Sequence, residues 1–476
     1  MTRAPTGRHP LGATWVMMIG FFLTVVDSSI LPVVNPVIRQ EFGIDYNAVI
    51  WVTSIYLLTF ATVLPVGGRL GDRFGPKNMY MFGLALFTAA SVWCGLSDSL
   101  EALIAARAIQ GVGAALLAPQ TFSVITRIFP PERRGVPMSL WGAVAGAGML
   151  IGPLAGGVLA DQLGWQWVFL VNAPIGVLGL VLAVRFIPAL PGRPHHLDMF
   201  GVLLSGVGIC LIVFGLQEGQ HHGWEPWSLA AIAAGVVTIP MFVVWQAVER
   251  QQPLIPLTLF RHRNFTLANA GIAVVSFAFV AFAAPMMFYL QEARGLSPTR
   301  AALMLAPLAI ATGILAPLVG RVVDRVPPRP IIGIGFATLA VGLFWLAVEM
   351  SLDAPVWRLA MPLTVMGVAG AFTWEPLAVI ASRPLPSELA GAGSAVFNTA
   401  RQLGALLSSA GIAPLMTWLV SREGANVTAA MSRSMLLPAF AAGVGLITAL
   451  FLVGPEHLRG AATSRRRLRA TASVAL

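Results

Sequence analysis

Apolar stretches of about twenty residues, parted by short polar joints, recur from one end of the chain to the other. Twenty residues of helix, rising ~1.5 Å each, reach across the ~30 Å hydrocarbon core of a bilayer. Fourteen such runs can be drawn, at 13–35, 48–68, 78–97, 101–126, 137–160, 165–187, 199–217, 228–248, 265–290, 300–323, 331–350, 356–381, 390–419 and 434–454. The pattern predicts an all-α membrane protein with fourteen transmembrane helices. No joint between the runs is long enough for a soluble domain.

The joints are lopsided in charge. With the N-terminus placed in the cytoplasm, 22 basic residues fall on that side, among them Arg69, Arg73, Lys77, Arg127, Arg133 and Arg134. Six fall on the other side, at Arg39, Arg294, Arg300, Arg358, Arg422 and Arg433, while Arg107 and Arg401 lie inside runs. Lysine and arginine concentrate in cytoplasmic loops, so the split predicts an even helix count with both termini cytoplasmic. One miscounted helix would scramble the later joints.

Composition agrees. Of 476 residues 57% are hydrophobic and 11% charged, with mean hydropathy +0.79, against about 25% charged in soluble domains. The net charge of +10 sits in short basic groups between apolar runs, so it reads as topology and no nucleic-acid partner is expected. Cys94 and Cys210 lie in different runs, and neither a disulfide nor a metal site is expected. The pairs His195–His196 and His221–His222 lack a completing cysteine or carboxylate and read as solvated loop residues. The tail at Arg465–Arg469 either touches anionic lipid or is a positive-inside stop. The opening MTRAPTGRHPLG lacks a small-residue cleavage site, so the first run is expected to be retained as a helix. No phosphate loop, nucleophile elbow or metal-hydrolase helix is found. The expectation is a non-enzyme without cofactors.

The chain also echoes itself. GRLGDRFGPKN (68–78) follows the second run and GRVVDRVPPRP (320–330) follows the tenth. Both read Gly-Arg-x-x-Asp-Arg and then a basic residue. Two homologous six-helix halves with an inserted pair would put both motifs after the second helix of a half, a repeat typical of secondary transporters. The boundaries expected are 1–190 for the first half, 191–250 for the inserted helices and their linkers, 251–460 for the second half and 461–476 for a basic cytoplasmic tail.

The residues of these motifs resemble the major facilitator superfamily, and within it the fourteen-helix drug:proton antiporter branch of the EmrB/QacA type. The likeness covers nearly the whole chain. It is carried by Gly68-x-Leu-Gly-Asp72-Arg73-x-Gly75-x-Lys77, Arg107-Ala-Ile-Gln110-Gly111-Val-Gly113 and Gly148-x-x-x-Gly152-Pro153-x-x-Gly156-Gly157. The segments 165–176, 253–265 and 397–404 add to it. The first-helix signature departs from the family, with Pro32 where Asn is usual and an Asn at position 35. Gln166 stands where Arg is common, and Pro327 where the second loop motif would have Gly.

Of 20 acidic residues, 18 fall in loops or at helix ends, and only Asp27 and Glu375 lie deep in a run. Charges in hydrocarbon are costly, which makes such residues functional candidates. Burial raises a carboxyl pKa toward neutral pH, as a proton carrier requires. Asp27 is therefore a candidate for proton coupling or for binding a cationic substrate; a buried acid fixed by an ion pair or hydrogen bond is the plainer alternative. Trp374 and Glu375, before Pro376, could hold a lipophilic cation by charge and cation–π contact, or Glu375 could pair with an arginine or face an aqueous vestibule. The resemblance implies that Arg107 regulates Asp27, with a structural ion pair the alternative, and Arg401 reads as structural. Gly148, Gly152 and Gly156 form one smooth face and, with Pro153 and Gly157, read as a gate or hinge between halves. The resemblance implies a cytoplasmic latch at Gly68, Asp72, Arg73, Asp324 and Arg325; helix capping and topology signalling are the alternative.

Together these readings predict a proton-coupled multidrug exporter of lipophilic, cationic compounds, working by alternating access. The alternative is an exporter or flippase of an endogenous amphiphile such as a lipid, siderophore or host-made antibiotic. The expected partners are a small-molecule substrate, protons and the bilayer. The expected setting is a monomer in a bacterial cytoplasmic (inner) membrane.

Overall fold

A computed structural model describes residues 10–129, 135–192, 198–249, 254–323, 326–383, 385, 390–423 and 426–453. Each apolar run is helical, and among the described residues thirteen helices are long and apolar enough to cross a membrane. The remaining run forms α3 (Pro76–Gly95), of 20 residues.

The first six runs become α1 (Pro10–Phe42), α2 (Tyr46–Phe74), α3, α4 (Leu100–Ile128), α5 (Gly135–Gln162), and α6 (Gln166–Leu170) with α7 (Asn172–Phe186). Next come α8 (Met199–His221) and α9 (Pro226–Val248). The last six are α10 (Arg263–Phe288), α11 (Pro298–Leu303) with α12 (Ala306–Val322), α13 (Pro328–Glu349), α14 (Ala360–Ser382), α15 (Ala390–Arg422), and α16 (Val427–Ser434) with α17 (Leu436–Leu450). Helix starts are capped as their sequences dictate. Asp45 Oδ1 accepts from the Ala48 N–H at 2.6 Å and Ser99 Oγ from Ala102 at 3.2 Å, filling donors that the first turn leaves unpaired. Gly75 turns the chain between α2 and α3 at φ +89°, a conformation open to glycine at little cost.

Packing falls into two groups and a pair. Helices α1 to α7 pack on one another, as do α10 to α17, and α8 lies along α9. Where backbones cross closely the residues are glycines. A Cβ on Gly113 would come within 2.6 Å of the Phe87 nitrogen, and one on Gly83 within 2.7 Å of the Leu117 nitrogen. Gly113→Val should therefore force α3 and α4 apart and cost roughly 1–3 kcal/mol, read as a lower melting midpoint in detergent.

The groups meet where α15 lies on α2, where α5 lies on α11, and where α1 crosses α10. On the first of these seams Ser54 Oγ and Ser409 Oγ are 2.7 Å apart. The pair α8–α9 attaches beside this seam, because α8 touches both α2 and α15. Trp51 Nε1 donates to Glu218 at 2.5 Å and Asn47 Nδ2 to the Gln217 carbonyl at 3.0 Å. At the other end of the pair, Asp198 accepts from Trp245, Gln246 and the Gly201 N–H at 2.6–2.9 Å. Burial pushes the Asp198 carboxyl up, but these bonds outweigh it and hold it below the usual aspartate range. Its stabilising charge is thus present above ordinary carboxylate pKa values and is lost only as pH falls below them.

On the second seam α5 meets α11 and, to a lesser extent, α12. A Cβ on Gly157 would lie 2.8 Å from the Pro298 carbonyl oxygen and 2.9 Å from Thr299 Cα. Further along, one on Gly146 of α5 or Gly313 of α12 would meet nothing within 4 Å. The groups are therefore joined near Gly157.

Candidate functional site

Asp27 lies midway along α1 and is 1% exposed. Its carboxylate would be untenable in hydrocarbon alone, and the neighbouring helices supply partners. Arg107 Nη1, on α4, donates to Oδ2 at 2.6 Å, and Gln110 Nε2, one turn further on, donates to Oδ1 at 2.8 Å. Gln110 is held in turn by Arg107 Nη1, 2.5 Å from its Oε1, and it donates to Ser91 Oγ on α3 at 2.8 Å. The Arg107 guanidinium also donates from Nε to the Val52 carbonyl at 3.1 Å and lies 4.2 Å from the Tyr56 ring centroid. The spacing Arg107-x-x-Gln110 puts both donors on one face of α4, toward α1. Four helices, α1 to α4, thus enclose one carboxylate and one guanidinium, each with several partners.

Asp27 and Arg107 are brought together as an ion pair, the plainer of the arrangements that the residues alone leave open. The carboxylate has no exposed surface from which to touch a cargo. Asn35 is also buried, and donates to Thr53 on α2 at 3.4 Å. α1 remains helical through Pro32 and Pro36.

Trp374 and Glu375 lie elsewhere, on α14. Trp374 is half-buried and its ring centroid stands 5.7 Å from that of Phe279 on α10. Glu375 is exposed, and among the described residues it has no ion-pair or hydrogen-bond partner. Its Oε2 would lie 3.8 Å from a Cβ on Gly320, just beyond the open face of α12 at Gly313. An unpaired carboxylate beside an aromatic pair can receive a cation.

The glycine face of α5 does not lie between the two groups. A Cβ on Gly148 would meet Val25 at 2.8 Å, and those on Gly152 and Gly156 would strike Ser29 and Ile30, all on α1. Ser29 Oγ bonds the Gly148 carbonyl at 3.1 Å. The stripe is a close α1–α5 contact within the first group, and Pro153 is buried within it. Of the five residues, Gly157 reaches the second group.

At the loop motif, Asp72 accepts from Arg127 Nη2 of α4 at 2.6 Å, Arg73 is exposed with its guanidinium 5.3 Å from the Phe74 ring, and Gly68 lies near Pro119. These contacts stay within the first group. Asp324 and Arg325 lie outside the described residues.

A second charged cluster is one that sequence reasoning misses. Glu292 sits on a π-helical turn, Tyr289–Ala293, that continues α10. It accepts from Arg39 Nε and Nη2 of α1, both at 2.8 Å, and from the Tyr46 hydroxyl of α2 at 2.8 Å. Gln291 Nε2 donates to the Val33 carbonyl at 2.7 Å, and the Thr299 N–H to Asp161 Oδ2 at 3.2 Å. These bonds clasp the groups together at the Gly157 end. Bidentate arginine–carboxylate geometry is among the stronger polar contacts. The π-turn, a feature frequent at functional sites, is what aims two successive polar residues at α1.

A family model described as Major Facilitator Superfamily matches residues 17–409. An uncharacterized MFS-type transporter of Mycobacterium tuberculosis is 50% identical, over 97% of this chain and 83% of its own length. A methylenomycin A resistance protein of Bacillus subtilis is 31% identical, over 83% of this chain and 85% of its own. Among solved structures, a D-xylose-proton symporter superposes with a TM-score of 0.64 at 16% identity, covering 93% of this chain and 98% of that one. This last likeness speaks for the fold alone.

Proposed function

Since this chain belongs to the Major Facilitator Superfamily, and so is a membrane transporter and not an enzyme, we propose that it exports lipophilic, cationic compounds in exchange for protons. The proposal places it in the fourteen-helix drug:proton antiporter branch. Helices α1–α7 and α10–α17 are then the two six-span halves, with α8 and α9 the inserted pair. The Asp72 end faces the cytoplasm of a bacterial cell, both termini are cytoplasmic, and a monomer is the working unit.

The observation that carries the reading is the sealed Asp27–Arg107–Gln110 cluster, an ionisable pair at the centre of the first half. Protonating Asp27 removes the charge that holds Arg107 and loosens the tie between α1 and α4. The cargo's positive charge meets Glu375 and Trp374 in the second half. Proton and cargo therefore do not share a carboxylate, and coupling runs through movement of one half against the other. The clasp at Glu292 closes the end opposite Asp72, and in this reading the cargo loads from the Asp72 side. The methylenomycin A resistance relative supports the outward direction of transport.

Glu375→Gln should weaken binding of rhodamine 123, a lipophilic cation, by about tenfold, the ~1.4 kcal/mol of one lost charge contact, with the Trp374 ring retained. Uptake of an uncharged dye should be unaffected. Equal rhodamine affinity in wild type and variant would remove Glu375 from the site.

A further inference from the structure

We infer that Arg401 is the receptor for an anionic group on the cargo. Arg401 lies on α15, eight residues toward the Asp72 end from the Ser54–Ser409 contact, hence ~12 Å along the helix. It also stands eleven residues inside α15, well within a membrane-spanning segment. Among the described residues its guanidinium has no ion pair and no hydrogen bond, and its Nε is buried without an acceptor. An arginine at such depth needs an anionic or carbonyl partner.

Its surroundings supply none. Among the described residues no carboxylate forms an ion pair with it, and its Nε is left without an acceptor. The buried carboxylate of the first group, Asp27, is already neutralised by Arg107 and is not available to Arg401. Arg401 is half-buried, so its guanidinium can be reached by, and can donate to, an incoming oxyanion. A guanidinium presents its donors as a planar fork that fits a carboxylate or phosphate. The ligand chemistry is therefore a carboxylate, sulfonate or phosphate attached to an apolar body. The assignment rests on the reading that the space between the halves carries lipophilic cargo, and it extends that cargo from cations to acids and zwitterions.

Fluorescein and rhodamine 123 share a xanthene frame and differ in charge, which makes them matched probes. Binding is measured by anisotropy on the full chain in phosphatidylcholine nanodiscs. Fluorescein should bind the wild type. Arg401→Gln should weaken it at least tenfold and shift rhodamine 123 less than twofold, with Arg401→Lys between. Unchanged rhodamine 123 binding shows that the variants are folded. If fluorescein fails to bind the wild type, or binds Arg401→Gln equally, the anion receptor is overturned; rhodamine 123 binding that depends on Glu375 would still uphold the cation reading. A parallel set in phosphatidylglycerol nanodiscs separates sources. Weaker fluorescein binding there, in wild type but not in Arg401→Gln, identifies a lipid phosphate as the anion. Unchanged binding identifies the exported compound.

Discussion

Asp27→Asn should reduce rhodamine 123 transport driven by a pH gradient to the level of empty proteoliposomes. Asn cannot take up and release a proton, but it is nearly isosteric and can still bond Gln110. What it removes is the anion opposite Arg107. Breaking one side of a buried pair typically costs about 3–5 kcal/mol, because a charge is left without its counter-ion. Here the Val52 carbonyl, Gln110 Oε1 and the Tyr56 ring still receive the guanidinium, which moderates the loss and lets the variant reach the membrane. The double variant Asp27→Asn/Arg107→Gln removes both charges. It should recover most of the melting midpoint and none of the proton-driven transport. That separation distinguishes a coupling role from a structural one. Full gradient-driven transport by the single variant would sink the coupling role.

Gly157→Leu should hold the transporter with its clasped end open. A side chain there would run into the Pro298 carbonyl and Thr299 Cα, which are backbone atoms of the other group and cannot rotate aside. The Arg39–Glu292 and Thr299–Asp161 bonds would then be stretched. Spin labels at Gln162→Cys and Arg300→Cys, in a background without Cys94 and Cys210, should move apart by a measurable distance as the added side chain wedges α5 from α11. Under the proposed exchange, efflux should fall at least tenfold, because the clasped state can no longer form. Gly148→Leu is the control. It presses on Val25 within one group, so it should lower stability without lengthening that distance. An unchanged spin-label distance in Gly157→Leu would mean that the α5–α11 contact is not a gate.

Much of the fold was legible in the sequence. Apolar runs near twenty residues fix the helices, because only a helix satisfies its own backbone in lipid. The cost of intramembrane charge marks Asp27 and Arg107 from their positions in the runs alone. What stayed hidden were the pairings that tertiary packing creates. Glu292 sits at a helix end among the many acids that read as solvated, and only the π-turn aims it at Arg39. Gln110 was visible within a motif, yet its grip on Asp27 depends on how α4 lies against α1. The glycines of α5 announced a smooth face but not its partner, which proved to be α1 for three of them and α11 for Gly157. Arg401 read as structural because a lone arginine in a run suggests a hidden acid, and no such acid stands beside it among the described residues.

Exchange between cargo and protons is the property on which the proposed function depends. Wild-type protein is reconstituted in vesicles holding the pH dye pyranine, with no pH gradient and an imposed rhodamine 123 gradient. Downhill movement of rhodamine 123 should drive protons the opposite way, seen as a pH change inside the vesicle that is absent with Asp27→Asn. Rhodamine 123 movement through the wild type with no accompanying pH change would contradict exchange.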